Sequence, residues 1–142
     1  MNIQHSDLTL TSCPENIHKV VPFVDDVARQ YNLSPDLRGN ILLTLTEAVT
    51  NAMLHGNSGD ANKCVLISLR VKQNNLAIRV SDEGRGFDPD SVPDPTMPDR
   101  IENCGGRGLF LMKQFSDECR FIRGGRTVEM RFHLDREQKK CR

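Results

Sequence analysis

The sequence predicts an α+β fold, a two-layer α/β sandwich in which helices cover one face of a mixed, mainly antiparallel sheet. Three observations support this class. After one short strand, two helical patterns follow each other directly, and the remaining strand patterns come in hairpin-like pairs. The regular β-α-β alternation that a doubly wound parallel sheet requires is missing.

Asp7–Cys13 alternates apolar and polar residues and reads as a strand. Ile17, Val20, Val21, Val24, Val27 and Ala28 then recur at helical spacing, with Pro14 suited to a first turn. Pro22 interrupts that pattern and predicts either a kink or a delayed helix start. The second helix opens at Ser34-Pro35-Asp36: an N-cap, a proline for the first helical position, and an acid for the positive helix end. Ile41, Leu42, Leu45, Ala48, Val49 and Ala52 form its apolar side, and it runs to about Leu54, where His55-Gly56-Asn57 stops it. Cys64–Val71 and Leu76–Asp82 read as a hairpin. Between Glu83 and Gly108 all periodicity is lost, and a stretch of that length is usually functional or disordered. A helix resumes over Gly108–Asp117. Glu118–Arg123 and Arg126–Leu134 form a closing hairpin around Gly124-Gly125, followed by a charged tail at 135–142.

The chain has 142 residues, enough for one domain with a sizeable core, so 1–142 is expected to be a single domain. Nineteen basic residues balance nineteen acidic ones, which gives no electrostatic case for nucleic acid or an anionic membrane. An anionic ligand must therefore be held by a few groups in one place. The five cysteines are scattered, without a Cys-x-x-Cys pair, so a zinc site has no support. No signal peptide or membrane-length apolar run is visible, and a reducing, cytoplasmic setting is expected.

Three clusters carry possible chemistry. Glu47, Asn51 and His55 recur every fourth residue and make a polar ridge on the second helix. Leu43 and Leu54 suggest that buried surface lies nearby; the bland alternative is a ridge facing solvent. Asp82 ends a strand and is followed by Gly84 and Gly86, where glycine permits close backbone approach and an acid can accept from a ligand amine. An ordinary turn would look the same. Gly105, Gly106 and Gly108 lead into a helix, with Arg107 and Lys113 adding charge. Exposed N–H groups and the helix dipole make such a start an anion site, or else it is a flexible loop. The Walker-type P-loop pattern is absent.

Taken in order, "LTEAVTNAMLHGN", "SDEGRGFDP" and "GGRGLFLMKQFSDE" resemble the Asn-containing helix box and the two glycine boxes of the Bergerat, or GHKL, ATP-binding fold. That fold is shared by gyrase, histidine kinases and MutL. Within it the chain looks most like the small anti-sigma-factor serine/threonine kinases of bacteria, over roughly Pro14 to Leu134. The resemblance implies a site for ATP and magnesium. Asn51 matches the ligand of the magnesium that bridges the ATP phosphates, and Glu47 the general base for the attacking hydroxyl. Asp82 matches the acid that reads the adenine amine, with Gly84 and Gly86 beside it. Residues 88–105 match the ATP lid. Gly106 and Gly108 match phosphate-binding glycines, with Gly105 and Arg107 in the same box. His55 is expected to be structural. Family kinases often carry a basic residue just before the second glycine box. Here Asn103 and Cys104 stand there, and Arg107 or Arg100 could substitute.

Two functions remain open on this resemblance. One is an enzyme that phosphorylates a serine or threonine of a STAS-type antagonist protein. The other is a nucleotide-gated module that sequesters a sigma factor or another regulator with little turnover. Glu47 favours the enzyme, since binding alone needs no base. Family members commonly pair, so a homodimer is expected.

Overall fold

The computed structural model describes residues 4–84 and 106–134. Gly86, Gly105, Arg100, the expected lid at 88–105 and the tail at 135–142 lie outside the described residues. Strand β1 (Gln4–Thr11) opens the order, and a 3-10 segment (Pro14–Lys19) leads into α1 (Val20–Gln30). Helix α2 (Pro35–Asn51) continues as a π-helical turn (Ala52–Gly56). Strands β2 (Cys64–Lys72) and β3 (Asn75–Ser81) follow, then α3 (Gly106–Phe115), β4 (Glu118–Ile122), a 3-10 turn (Arg123–Gly125) and β5 (Thr127–His133).

The five strands form one sheet in the order β1-β2-β3-β5-β4, and all four pairings are antiparallel. The expected α+β sandwich is therefore present, and among the described residues its sheet has no parallel pair. β1 begins earlier than the alternation suggested because it pairs with β2 along its whole length, from Gln4↔Val71 to Thr11↔Cys64. The Lys72↔Asn75 pairing leaves a two-residue turn, Gln73-Asn74, with Gln73 at φ 57°. Positive φ matches the twist that two-residue hairpins need.

Local signals account for the helix starts. The Ser34 hydroxyl accepts from the Leu37 N–H at 3.1 Å, a side-chain cap over a first turn that begins with Pro35. Of the two outcomes open at Pro22, the structure takes the delayed start. The 3-10 segment covers the preceding residues and α1 begins at Val20, which puts Pro22 in the first turn, where its missing N–H has no helical partner to lose.

The core lies between the helices and one face of the sheet. Val65, Ile67 and Leu69 of β2, Leu76, Ile78 and Val80 of β3, and Val128, Met130 and Phe132 of β5 are buried there. Val20, Val24 and Val27 of α1, Ile41, Leu45 and Val49 of α2, and Met112 of α3 meet them. The strict alternation fixes the register, since a slip of one residue would turn the buried set to the opposite face. No helix in the described residues is long and apolar enough to cross a membrane.

The opposite face of the sheet has one buried charge. Glu129 is 2% exposed, and its carboxylate accepts from Arg79 Nε at 2.6 Å, Arg120 Nε at 2.9 Å and Arg131 Nε at 3.0 Å. Arg79 and Arg120 sit opposite it on the two flanking strands. Burial raises the Glu129 pKa, and the three arginine bonds outweigh it, leaving the carboxyl at about 2. This is below the unfolded value of about 4.3, so the stabilisation is complete above that pH and is lost as pH falls toward 2. Glu129→Gln should cost on the order of 2–3 kcal/mol at neutral pH, the outer ends of the arginines remaining solvated. In urea unfolding the gap between wild type and variant should narrow below about pH 4; a gap independent of pH would contradict this account.

Candidate functional site

Helix α2 carries the polar ridge, and the structure sorts its members. Glu47 and Asn51 are half-buried, while His55, on the π-helical turn, is exposed. Leu43 and Leu54 do not bring buried surface to the ridge: they are 37% and 49% exposed. What covers Glu47 and Asn51 is the start of α3. A Cβ on Gly108 would lie 2.9 Å from Glu47 Oε2, 3.0 Å from Asn51 Nδ2 and 3.5 Å from Asn51 Oδ1. Glycine at 108 therefore lets the first turn of α3, with its unpaired N–H groups, approach both polar ends. Arg107 belongs to the same turn.

The other end of α2 meets the Asp82 turn. The N–H of Asn57 donates to the Ala52 carbonyl at 2.8 Å, the five-residue spacing of a π-turn. That widened turn presents Gly56 to the segment after β3. A Cβ on Gly56 would lie 2.2 Å from Asp82 Oδ2, and one on Gly84 only 1.9 Å from the Gly56 carbonyl oxygen. Gly84 is thus required by close approach and not by a left-handed backbone. Its N–H donates to Asp82 Oδ1 at 2.7 Å, and the Asp82 N–H donates to the Arg126 carbonyl at 2.9 Å.

Five residues separate Asn51 from Gly56, so the two polar centres lie about 7 Å apart along one helix. The structure brings Glu47, Asn51 and Gly108 together at one point and Asp82, Gly84 and Gly56 at the next. Two neighbours of Asp82 were not foreseen. Burial pushes the Asp82 carboxyl above its ordinary range, and the Gly84 N–H, Arg126 and Lys63 act against that rise. Arg126 arrives because Ser81↔Thr127 are partners, which sets it opposite Asp82. No local sequence signal links residues 44 positions apart in this way.

Among the described residues no group of three or more His, Cys, Asp or Glu could hold a metal ion. The Glu47 carboxylate and Asn51 amide oxygens are hard donors side by side. Magnesium characteristically takes one or two protein ligands and completes its shell from phosphate and water. The donor set fits a nucleotide-borne magnesium.

Polar side chains along one helix, met by the glycine start of a second helix and by a strand-end carboxylate, on an antiparallel sheet with helices on one face, make the architecture of an α+β ATPase-like domain. The chain belongs to the histidine kinase-like ATPase domain family, which matches residues 10–132. It is 30% identical to the serine-protein kinase RsbW of Bacillus subtilis, over 96% of this chain and 90% of that protein. It is 28% identical to an anti-sigma F factor of Bacillus cereus, over 99% of this chain and 97% of that protein. A crystal structure of the RsbU and RsbW domains of a Mycobacterium tuberculosis protein superimposes with a TM-score of 0.68 at 16% identity, covering 92% of this chain and 32% of that one. That likeness extends the agreement in fold.

The two glycine contacts differ in what must yield. Gly84→Ala forces a Cβ onto backbone and should cost about 2–3 kcal/mol. Gly108→Ala meets only side-chain ends and should cost less than about 1 kcal/mol. Urea unfolding of both variants checks the order, and equal losses would contradict it. Asp82→Asn keeps an oxygen for the Gly84 N–H and removes the desolvated charge. A raised carboxyl pKa favours the folded state below the unfolded pKa, and this is lost as pH rises through the folded value. The variant should therefore be at least as stable as wild type at neutral pH without ligand. Thermal unfolding tests this, and a loss above about 1 kcal/mol would refute it.

Proposed function

We propose that the chain is an ATP-binding anti-sigma regulatory factor with serine/threonine protein kinase activity, acting on a STAS-type antagonist protein in the cytoplasm. The observation that carries the proposal is the meeting of Glu47, Asn51 and Gly108 one helical stretch from Asp82. A carboxylate, an amide and the N–H groups of a helix start converge where a terminal phosphate would lie if Asp82 holds the adenine amine. The names of the relatives, a serine-protein kinase and an anti-sigma factor, point the same way.

In this reading Asp82 accepts from the adenine amine, with Gly84 and Gly86 letting the ring approach the backbone. Gly105, Gly106, Arg107 and Gly108 donate to phosphate oxygens. Asn51 would hold magnesium, which supplies charge neutralisation to the phosphates. Glu47 takes the proton of the incoming serine or threonine hydroxyl as its oxygen bonds to the terminal phosphorus. The bond from that phosphorus to the bridging oxygen breaks, and ADP leaves. A homodimer, with a sigma factor as the second partner, belongs to the same proposal. A second reading, a nucleotide-gated module that sequesters its partner without turnover, is favoured by Asn103 and Cys104, which stand where family kinases often have a basic residue.

Glu47→Gln separates these readings. It keeps shape and helix propensity, so affinity for magnesium-ATP should stay within about twofold while phosphate transfer falls by about 100-fold or more. Asn51→Ala should weaken both. The measurement is transfer of labelled phosphate to each STAS-type protein of the source genome, beside calorimetric ATP affinity. Binding without transfer in the wild type would establish the second reading. Full transfer by the Gln variant would remove Glu47 from the chemistry.

A further inference from the structure

Asn57 lies one residue beyond Gly56, is 0% exposed, and has every polar atom of its side chain engaged. Its Nδ2 donates to Ser12 Oγ at 2.9 Å and to the Cys64 carbonyl at 3.0 Å. Its Oδ1 accepts from the Glu83 N–H at 2.7 Å. Ser12 is itself buried, and its hydroxyl and N–H both donate to the Lys63 carbonyl at 3.0 Å. One amide thus ties together the exit of β1, the entry of β2 and the turn after β3.

The Glu83 contact matters most for the site. Three successive N–H groups leave β3, and each has a different partner. Asp82 N–H goes to the Arg126 carbonyl, Glu83 N–H to Asn57, and Gly84 N–H back to Asp82 Oδ1. The middle bond is the one that reaches the residue closing the π-helical turn after α2. Without it, Glu83 could rotate its peptide, and the Gly84 N–H would no longer be held over the Asp82 carboxylate. An amide with two donors and one acceptor, in this buried place, meets all three groups, and no shorter or acidic side chain does so.

We propose that Asn57 is a positioning residue for adenine recognition: through the Glu83 N–H it fixes the direction of the Asp82 carboxylate, and with it the preference for adenine over guanine nucleotides. This rests on Asp82 being the group that reads the base. Guanine presents a carbonyl where adenine presents its amine, so discrimination depends on where that carboxylate points. Loss of a merely structural amide would lower stability and leave selectivity untouched.

Asn57→Ala, Asn57→Asp, Ser12→Ala and Asp82→Asn form the test. Each full chain is measured for urea stability, for ATP and GTP affinity by calorimetry under conditions where it is folded, and for amide exchange at Glu83 and Gly84 without nucleotide. Asn57→Ala should lose at least tenfold in ATP affinity, narrow the ATP-over-GTP ratio, and exchange at Glu83 and Gly84 at least tenfold faster. Ser12→Ala cuts the same network away from Glu83 and should keep affinity, ratio and exchange within about twofold of wild type, whatever its stability. Asn57→Asp retains an acceptor for Glu83 and should hold the ratio within about threefold even where it lowers stability; if the alanine variant does not fold, Asn57→Leu, which keeps the volume and lacks the acceptor, takes its place with the same expected losses. ATP affinity and selectivity unchanged in Asn57→Ala, or lost equally in Ser12→Ala or Asn57→Asp, overturn the proposal. Unchanged ATP affinity in Asp82→Asn removes the underlying assignment of Asp82, and the exchange measurement then shows separately whether Asn57 holds the turn.

Discussion

The contact between the Gly56 carbonyl and Gly84 sets the position of almost everything else in the site. The Gly56 backbone leaves no room for a Cβ on Gly84, the Asp82 side chain leaves none on Gly56, and this approach fixes the distance between the end of the π-helical turn and the end of β3. Because α2 is one rigid rod, that distance also fixes where Glu47 and Asn51 stand relative to Asp82. The π-helical turn makes the approach possible. A regular helix would carry the chain on past the turn, and the extra residue per turn swings Gly56 toward the sheet instead. Such turns often mark functional positions, and here the geometric reason is visible.

The two faces of the sheet divide the work. The helix-side face is aliphatic and supplies cohesion through Val, Ile, Leu and Met packing, with Phe132 as a large aromatic among its fully buried side chains. The outer face carries a charged cluster in which one buried carboxylate is shared by three arginines from three adjacent strands. Removal of the carboxylate alone would leave three like charges side by side, so the cluster ties β3, β5 and β4 together more firmly than any one pair would. Asp82 has Arg126 and Lys63 within electrostatic reach and still sits above its ordinary pKa, because burial dominates.

The alternation of strand residues and the Ser34-Pro35-Asp36 helix start were legible in the sequence, because each is a local preference that the fold leaves intact; α3 was legible as a helix, though it starts at Gly106 and so takes in two of the glycines expected to precede it. The three-box order carried the family likeness further, and the structure sets Gly108 against Glu47 and Asn51, and Gly84 against Gly56 and Asp82. What could not be read was decided by topology. The sequence suggested that Leu43 and Leu54 bring buried surface to the ridge, yet both face outward, since helical spacing fixes angles around a helix and not which side finds a neighbour. The reach of Asn57 to Ser12 and Glu83, and of Asp82 to Arg126, joins residues 26 to 45 apart in the chain. Pro22 left two outcomes open because proline forbids a hydrogen bond without saying which turn will do without it.

The strand order has a consequence for how the molecule is made. β5 lies between β3 and β4, although it follows both in sequence among the described residues. While the chain emerges from the ribosome, β1, β2 and β3 can already form a meander of local hairpins, but the far side of β3 stays open. It closes only when residues up to His133 are available to pair with Asn75. The same late strand brings the Arg126 carbonyl that holds the Asp82 N–H. The Asp82 turn is therefore completed only by a strand that follows it after α3 and β4. Long-range pairing of this kind is slow beside the local hairpins that precede it, so the Asp82 turn is set late in folding.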